Sequence, residues 1–348
     1  MKSYSFLASI LCAVIVSGCS NINLQDAIDL SQEGVKLSKA TSSYYQDTRF
    51  NLDQYIEATA LDSALNEHTP PSEEALKSIN GAKEGLLARE VIFSSLSKTY
   101  VSLGNLASFD STTEIQKNIT SLAESIESYR QQVQGSPPST NKKPETLISN
   151  LGGFLVSEQQ KSKLKQSSKL IRDNLQAFKS LLALDHKVLL SVQGVVIDAK
   201  SDAAKSLIRS GFGDPESLVA RQLSAFSLNT PKSVEAELIA ETRKTYISDL
   251  KAYKKAIASN SKNPPPLPKL PPLYGSLLNV IDAKAATEKS TQEALLIEIE
   301  NSIDKLINMH LQFEHGTPIS IESITERLVN LRALLDQLNT SNSTPTNK

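Results

Sequence analysis

The chain has 348 residues, 37 basic and 38 acidic side chains for a formal net charge of −1, two cysteines, 13 glycines and no tryptophan. That balance excludes the basic signature of a nucleic-acid or polyanion binder, and two cysteines exclude a disulfide-built scaffold. The length suffices for a sizeable core, and Ser, Leu, Ala, Lys and Glu with little glycine suit long helices better than sheets.

The first element is a positive residue, Lys2, followed by an apolar run from Phe6 to Val16 and then Ser17, Gly18 and Cys19. An apolar core of about 11–14 residues falls short of a bilayer span and reads as an export signal. Val16-Ser17-Gly18-Cys19 resembles the lipobox of bacterial lipoproteins: an aliphatic residue, two small residues, then the cysteine that receives lipid. The resemblance implies that residues 1–18 are removed by cleavage between Gly18 and Cys19. The mature chain would begin at a diacylated, then N-acylated (palmitate-type) Cys19, which makes membrane lipid its first partner. Cys12 would leave with the signal, so the mature chain would hold no disulfide. One acyl chain holds a protein only marginally, at ~0.8 kcal/mol per CH₂, whereas two or three anchor it durably. Ser20 is not the Asp that tends to retain Gram-negative lipoproteins at the inner membrane. The resemblance therefore points to the periplasmic face of the outer membrane, or to the outer face of the plasma membrane in a Gram-positive source.

From residue 21 the hydrophobic spacing is helical. A weak stripe through Leu24, Ile28, Val35, Tyr45, Leu52 and Ile56 covers 21–66. After Pro70-Pro71, Ser72 with Glu73 and Glu74 marks a helix start. Two seven-residue series follow, Ile79-Leu86-Phe93-Tyr100-Ala107 and Ala82-Arg89-Leu96-Leu103. Ser111 and Glu114 read as a capping box. The next helix carries a seam at steps of four and three through Ile115, Ile119, Leu122, Ile126, Tyr129 and Val133. Three such helices predict an antiparallel bundle over 19–134 that folds by itself.

Gly135 to Pro144 cannot continue a helix and reads as a linker, 135–145. The longest helix is expected over 158–210, with one stripe through Leu164, Ile171, Leu175, Phe178, Leu182, Leu189, Val192, Val196, Ala199 and Ala203. Leu170, Leu181, Leu184, Val188 and Val195 add a second apolar side, which predicts a central place in its bundle. At about 1.5 Å per residue it reaches ~75 Å, so an elongated body is expected. Gly211-Phe-Gly213 stops it, and Asp214-Pro215-Glu216 begins a short helix. Another helix starts at Thr230-Pro231. The run 263–272 reads as a polyproline II spacer of ~30 Å. A helix over 275–314 follows, then a last one from Thr317-Pro318 with a seam through Ile321, Ile324, Leu328, Leu331, Leu335 and Leu338. The segment 146–340 forms the second bundle, and 341–348 reads as a disordered tail.

Candidate chemistry is sparse. Gly211-Phe-Gly213 lacks the third glycine and the strand of a phosphate loop, and no nucleophile elbow occurs. His310 and His315 do not share a helix face, and His310 with Glu314 makes only two metal ligands. His310 is expected at the border of the Leu306–Phe313 stripe. Asp185 interrupts the long seam beside His186 and Lys187. A buried carboxylate needs a partner, and its place favours a register-setting contact over a functional pocket, with Asp185→Leu neutral or stabilising. Lys161, Lys165, Lys169 and Arg172 form a basic stripe expected to pair with Glu288, Glu293, Glu298, Glu300 and Asp304, in preference to anionic lipid head groups. The uncharged run from Thr146 to Ser157 resembles the membrane-inserting hairpin of helical pore-forming proteins, but is too short to span as a helix, and an interdomain contact or a hydrophobic start to the long helix is the favoured reading.

The sequence thus predicts an all-α, elongated antiparallel bundle, or two, with coiled-coil-like helices. It assigns no catalytic, cofactor or metal residue, no small-molecule substrate and no nucleic acid. The expected function is a non-enzymatic envelope scaffold or partner-binding accessory, with a membrane-active helical protein as the alternative.

Overall fold

The computed structural model describes residues 22–66, 71–108, 113–134, 157–210, 232–259, 263 and 265–342. Among them the chain is all-α: α1 (Leu24–Asn51), α2 (Asp53–Asn66), α3 (Glu73–Ala107), α4 (Thr113–Gln134), α5 (Ser157–Arg209), α6 (Lys232–Ala258), α7 (Pro272–His315) and α8 (Ile321–Asn342). Gly18, Cys19, the Ser111 cap, the 135–144 break, the apolar run up to Val156, and residues 211–231 with their two expected helix starts lie outside the described residues.

Helix ends follow local chemistry. Ser72 Oγ accepts the Ala75 amide at 3.1 Å, and Glu73 and Glu74 sit in the positive first turn. Pro272, expected to end the prolyl spacer, instead opens α7, where a missing N–H is harmless. Gly316 closes α7 in the left-handed region (φ 66°). Its amide bonds Phe313 O, and the Thr317 amide bonds Gln312 O, both at 3.0 Å. This Schellman cap absorbs Thr317, so α8 starts at Ile321 and not at Thr317-Pro318. At its far end α8 runs on to Asn342, into the expected tail. At the end of α3, the Gln160 amide donates to Leu106 O and Ala107 O at 2.8 and 3.0 Å, satisfying carbonyls the helix leaves open.

The seams of α3 and α4 bury as their spacing predicts. Ile79, Leu86, Phe93, Tyr100 and Ala107 are buried, as are Ile115, Ile119, Leu122, Ile126 and Tyr129. The α1 stripe is different. Leu30, Leu37, Tyr44 and Tyr45 are buried together with Ser31, Ser38, Thr41 and Thr48, while Leu24, Ile28 and Val35 are only half-buried and Ile56 is exposed. Small and hydroxyl residues let α1 lie close on α3: Ser31 Oγ donates to Tyr100 O at 2.6 Å, and Gly34 faces the Tyr100 ring.

Packing divides the chain into two units, and neither is continuous in sequence. Of the described residues, the first takes those up to Gln46, within Gly85–His186 and within Leu295–Leu335; the second takes those within Asp47–Glu84, within Lys187–Ala294 and from Asp336 on. This partition differs from 19–134 followed by 146–340, because both units combine helices from before and after residue 135. In the first unit, α3 runs antiparallel to α1 and to α4, with Ser42 Oγ on Glu90 O at 3.3 Å and Thr99 Oγ1 on Asn118 O at 3.1 Å. A row of rings fills its core: Tyr44, Tyr45, Phe93, Phe178 and Tyr129, with successive centroids 5.1 to 6.0 Å apart. In the second unit Ile208, Tyr246, Tyr274, Leu277 and Leu278 form a cluster backed by Leu250, Leu270 and Ile281.

Candidate functional site

The polar groups that matter most lie inside the first unit. Arg89, within the α3 seam, is 2% exposed, yet its guanidinium pairs with the Asp185 carboxylate of α5. Arg89 Nε donates to the Tyr129 hydroxyl at 2.7 Å, and that hydroxyl donates to Asp185 Oδ2 at 2.6 Å. The rings of Tyr45 and Tyr129 lie 5.4 and 5.6 Å from the guanidinium carbon. Burial works against the cation, but the two tyrosines and Asp185 outweigh it and hold the Arg89 proton more firmly than usual. Burial also raises the Tyr45 and Tyr129 hydroxyl pKa values, which keeps both phenols neutral. Asp185 therefore has the partner its seam position demands. It is itself 21% exposed, so the fully buried member is Arg89.

A second network centres on His310, which is fully buried and not at the border of its stripe. Tyr100 Oη lies 2.9 Å from Nε2, and Ser168 Oγ lies 2.8 Å from Nδ1. Ser168 in turn points at Glu314 Oε1 across 3.5 Å, and Arg172 grips Glu314 Oε2 at 2.6 Å. Tyr100, His310 and Ser168 are all served if Tyr100 donates to Nε2, Nδ1 donates to Ser168, and Ser168 donates to Glu314, while the buried Arg172 Nε has no partner among the described residues. Burial first, and the Arg172 charge second, push the His310 pKa down to about 3, so the ring is neutral. Burial raises Glu314, opposed by Arg172. The residue types are those of a nucleophilic triad, but the order is not. The acid contacts the serine instead of the histidine, and Nε2 is taken by a tyrosine.

The acidic side of α7 does meet α5, though not through the expected basic stripe. Lys179 pairs with Asp304 at 2.6 Å and His186 Nδ1 with Glu300 at 2.7 Å in the first unit. In the second, Lys200 pairs with Glu288 at 3.6 Å and Lys289 with Asp198 at 2.7 Å. The antiparallel register places Arg172 opposite Glu314, so Lys161 to Lys169 lie beyond the stretch 288–304. Glu298 pairs instead with Arg327 of α8 at 3.0 Å. Among the described residues no group of three His, Cys, Asp or Glu could hold a metal.

The second apolar side of α5 is covered only in part. Leu181 is buried, but Leu184, Val188 and Val195 are 60%, 62% and 46% exposed. Two apolar sides do not make α5 central along its whole length. The helix also contains a stretch, about a third of it buried, that is long and apolar enough to cross a membrane by length and composition. Sequence reasoning missed Arg89 and Tyr129 as a polar pair. The available signal was an arginine in one seam and an aspartate in another, each needing a counter-charge. No protein-family profile, curated protein or solved structure matches this chain.

Proposed function

We propose that this chain is a lipid-anchored envelope protein, cleaved between Gly18 and Cys19 and acylated at Cys19. Its bundle is a non-enzymatic scaffold or accessory on the periplasmic side of the outer membrane. The observation that carries the partner-binding part is the row Leu184, Val188 and Val195 on α5, large apolar side chains left open beside a well-packed core. The internal polar networks support a rigid first unit: Arg89–Tyr129–Asp185 and Tyr100–His310–Ser168 use their polar groups on one another. A photoreactive amino acid at Val188 in native envelopes should yield one discrete protein adduct, with none from the exposed Glu322. Equal, diffuse adducts from both positions would contradict the reading.

The alternative, a membrane-active helical protein, draws on the apolar stretch of α5. Dye release from anionic liposomes by purified protein separates the two. The scaffold reading expects no release, and release that Val188→Asp abolishes would favour the alternative.

A further inference from the structure

We propose that the second unit holds a binding groove for a long-chain fatty acid, its carboxylate at Arg209 and Lys254 and its alkyl chain along Leu65, Leu250, Leu267 and Leu270. The groove, of about 500 Å³, lies where α5 ends, within the ~300–1,000 Å³ usual for small-molecule sites. Four elements build it, with α2 bringing Leu65 to the end of α5, α6 and the coil 265–271. The Tyr246 hydroxyl donates to Arg209 O at 2.7 Å and fixes α6 against the last turn of α5. The coil 265–271 then lays Leu267, Pro268 and Leu270 along the opening. The floor is firm, because Tyr246 belongs to the cluster of Ile208, Tyr274, Leu277 and Leu278, and Leu250 and Leu270 pack on it.

Two features select the ligand. Four of the nine described lining residues are leucines, and Leu267 is 64% exposed in a segment whose remaining residues are prolines, a lysine and Leu270. An alkyl chain laid there removes that surface from water. The charged lining residues are Arg209 and Lys254, with no acid among the described lining. The site is therefore complementary to an anion, and an arginine fork accepts a carboxylate through two parallel hydrogen bonds. The Tyr246 hydroxyl proton is already committed to a carbonyl, which leaves head-group recognition to the two cations.

The test uses the full chain and a photoreactive, alkyne-tagged hexadecanoic acid, with the labelled peptides mapped by mass spectrometry. Label should fall on the peptides holding Leu250 and Leu267–Leu270. Hexadecanoic acid should compete at least tenfold better than hexadecanol, which has the chain without the charge. Leu267→Asp, at an exposed position with little effect on folding, should abolish labelling. Arg209→Gln with Lys254→Gln should remove the preference for acid over alcohol. Val329→Gln, at an exposed position on α8, should change nothing. Label centred on the Leu184–Val195 stretch of α5, equal competition by the alcohol, or undiminished labelling of Leu267→Asp would overturn the proposal.

Discussion

Arg89 and Asp185, 96 positions apart in the chain, form an ion pair that ties the buried seam of α3 to the edge of α5. Its asymmetry decides what substitution does. Removing the carboxylate leaves a guanidinium that is 2% exposed with no counter-charge. Losing one partner of a buried pair costs about 3–5 kcal/mol, whereas replacing both by apolar groups is often neutral or better. Asp185→Leu should therefore destabilise the protein, contrary to the neutral effect its seam position alone implied. Arg89→Met with Asp185→Leu should recover most of the loss. Denaturant melts of the two variants check this, and a neutral Asp185→Leu would show that the pair does not hold the helices.

The buried His310 makes stability depend on pH. Its pKa falls from 6.5 to about 3 on folding. Between those values the unfolded chain binds more protons, so the contribution is present above the unfolded pKa and is lost as pH falls. The slope is at most about 1.4 kcal/mol per pH unit. Glu314, whose pKa burial raises, takes up its proton more readily when folded and opposes the loss at the acid end. Melting temperature should drop between about pH 6.5 and pH 4, and His310→Gln should flatten that limb. An equally steep limb in His310→Gln would assign the dependence elsewhere.

A Cβ at Gly34 would stand 2.5 Å from Tyr100 ring carbons. That ring stacks on His310 at 5.7 Å and is bonded to it, so it has no room to move. Gly34→Ala should destabilise by about 1–3 kcal/mol through overpacking. Gly81→Ala, with nothing within 4 Å, should stabilise by ~0.5–1 kcal/mol as an ordinary helix substitution. A neutral or stabilising Gly34→Ala would mean that α1 and α3 do not approach this closely.

The fragment 21–134 should not fold by itself. Phe93, Tyr100 and Arg89 of α3 find Phe178, His310 and Asp185 on α5 and α7, all within the first unit. Amide-proton dispersion in the isolated fragment is the measure. A native-like spectrum would restore a self-contained first bundle.

How much was legible in the sequence follows from which residues carry the core. In α3 and α4 leucine, isoleucine and tyrosine recur at heptad steps, and periodicity finds their buried faces directly. In α1 the buried face carries Ser31, Ser38, Thr41 and Thr48. The Ser38 hydroxyl is satisfied within its own helix by Gly34 O at 2.6 Å, and the Ser31 hydroxyl by Tyr100 O of α3, and hydropathy registers neither. Asp185 announced itself by interrupting a seam, but its partner came from another helix, and spacing along a chain does not pair distant charges. Periodicity puts His310 at a border, because its partners, Tyr100 and Ser168, come from two other helices. On α5 periodicity marks Leu184, Val188 and Val195 as apolar, while only packing shows that they are uncovered.

The lipid anchor at Cys19 is the central claim. The most direct measurement is the mass of the N-terminal peptide of the protein extracted from native membranes. The account predicts a chain that starts at Cys19 and carries acyl groups, with Cys19→Ala unprocessed and unlabelled by an alkyne fatty acid. A mature chain that starts elsewhere, or an unmodified Cys19 thiol, would contradict it.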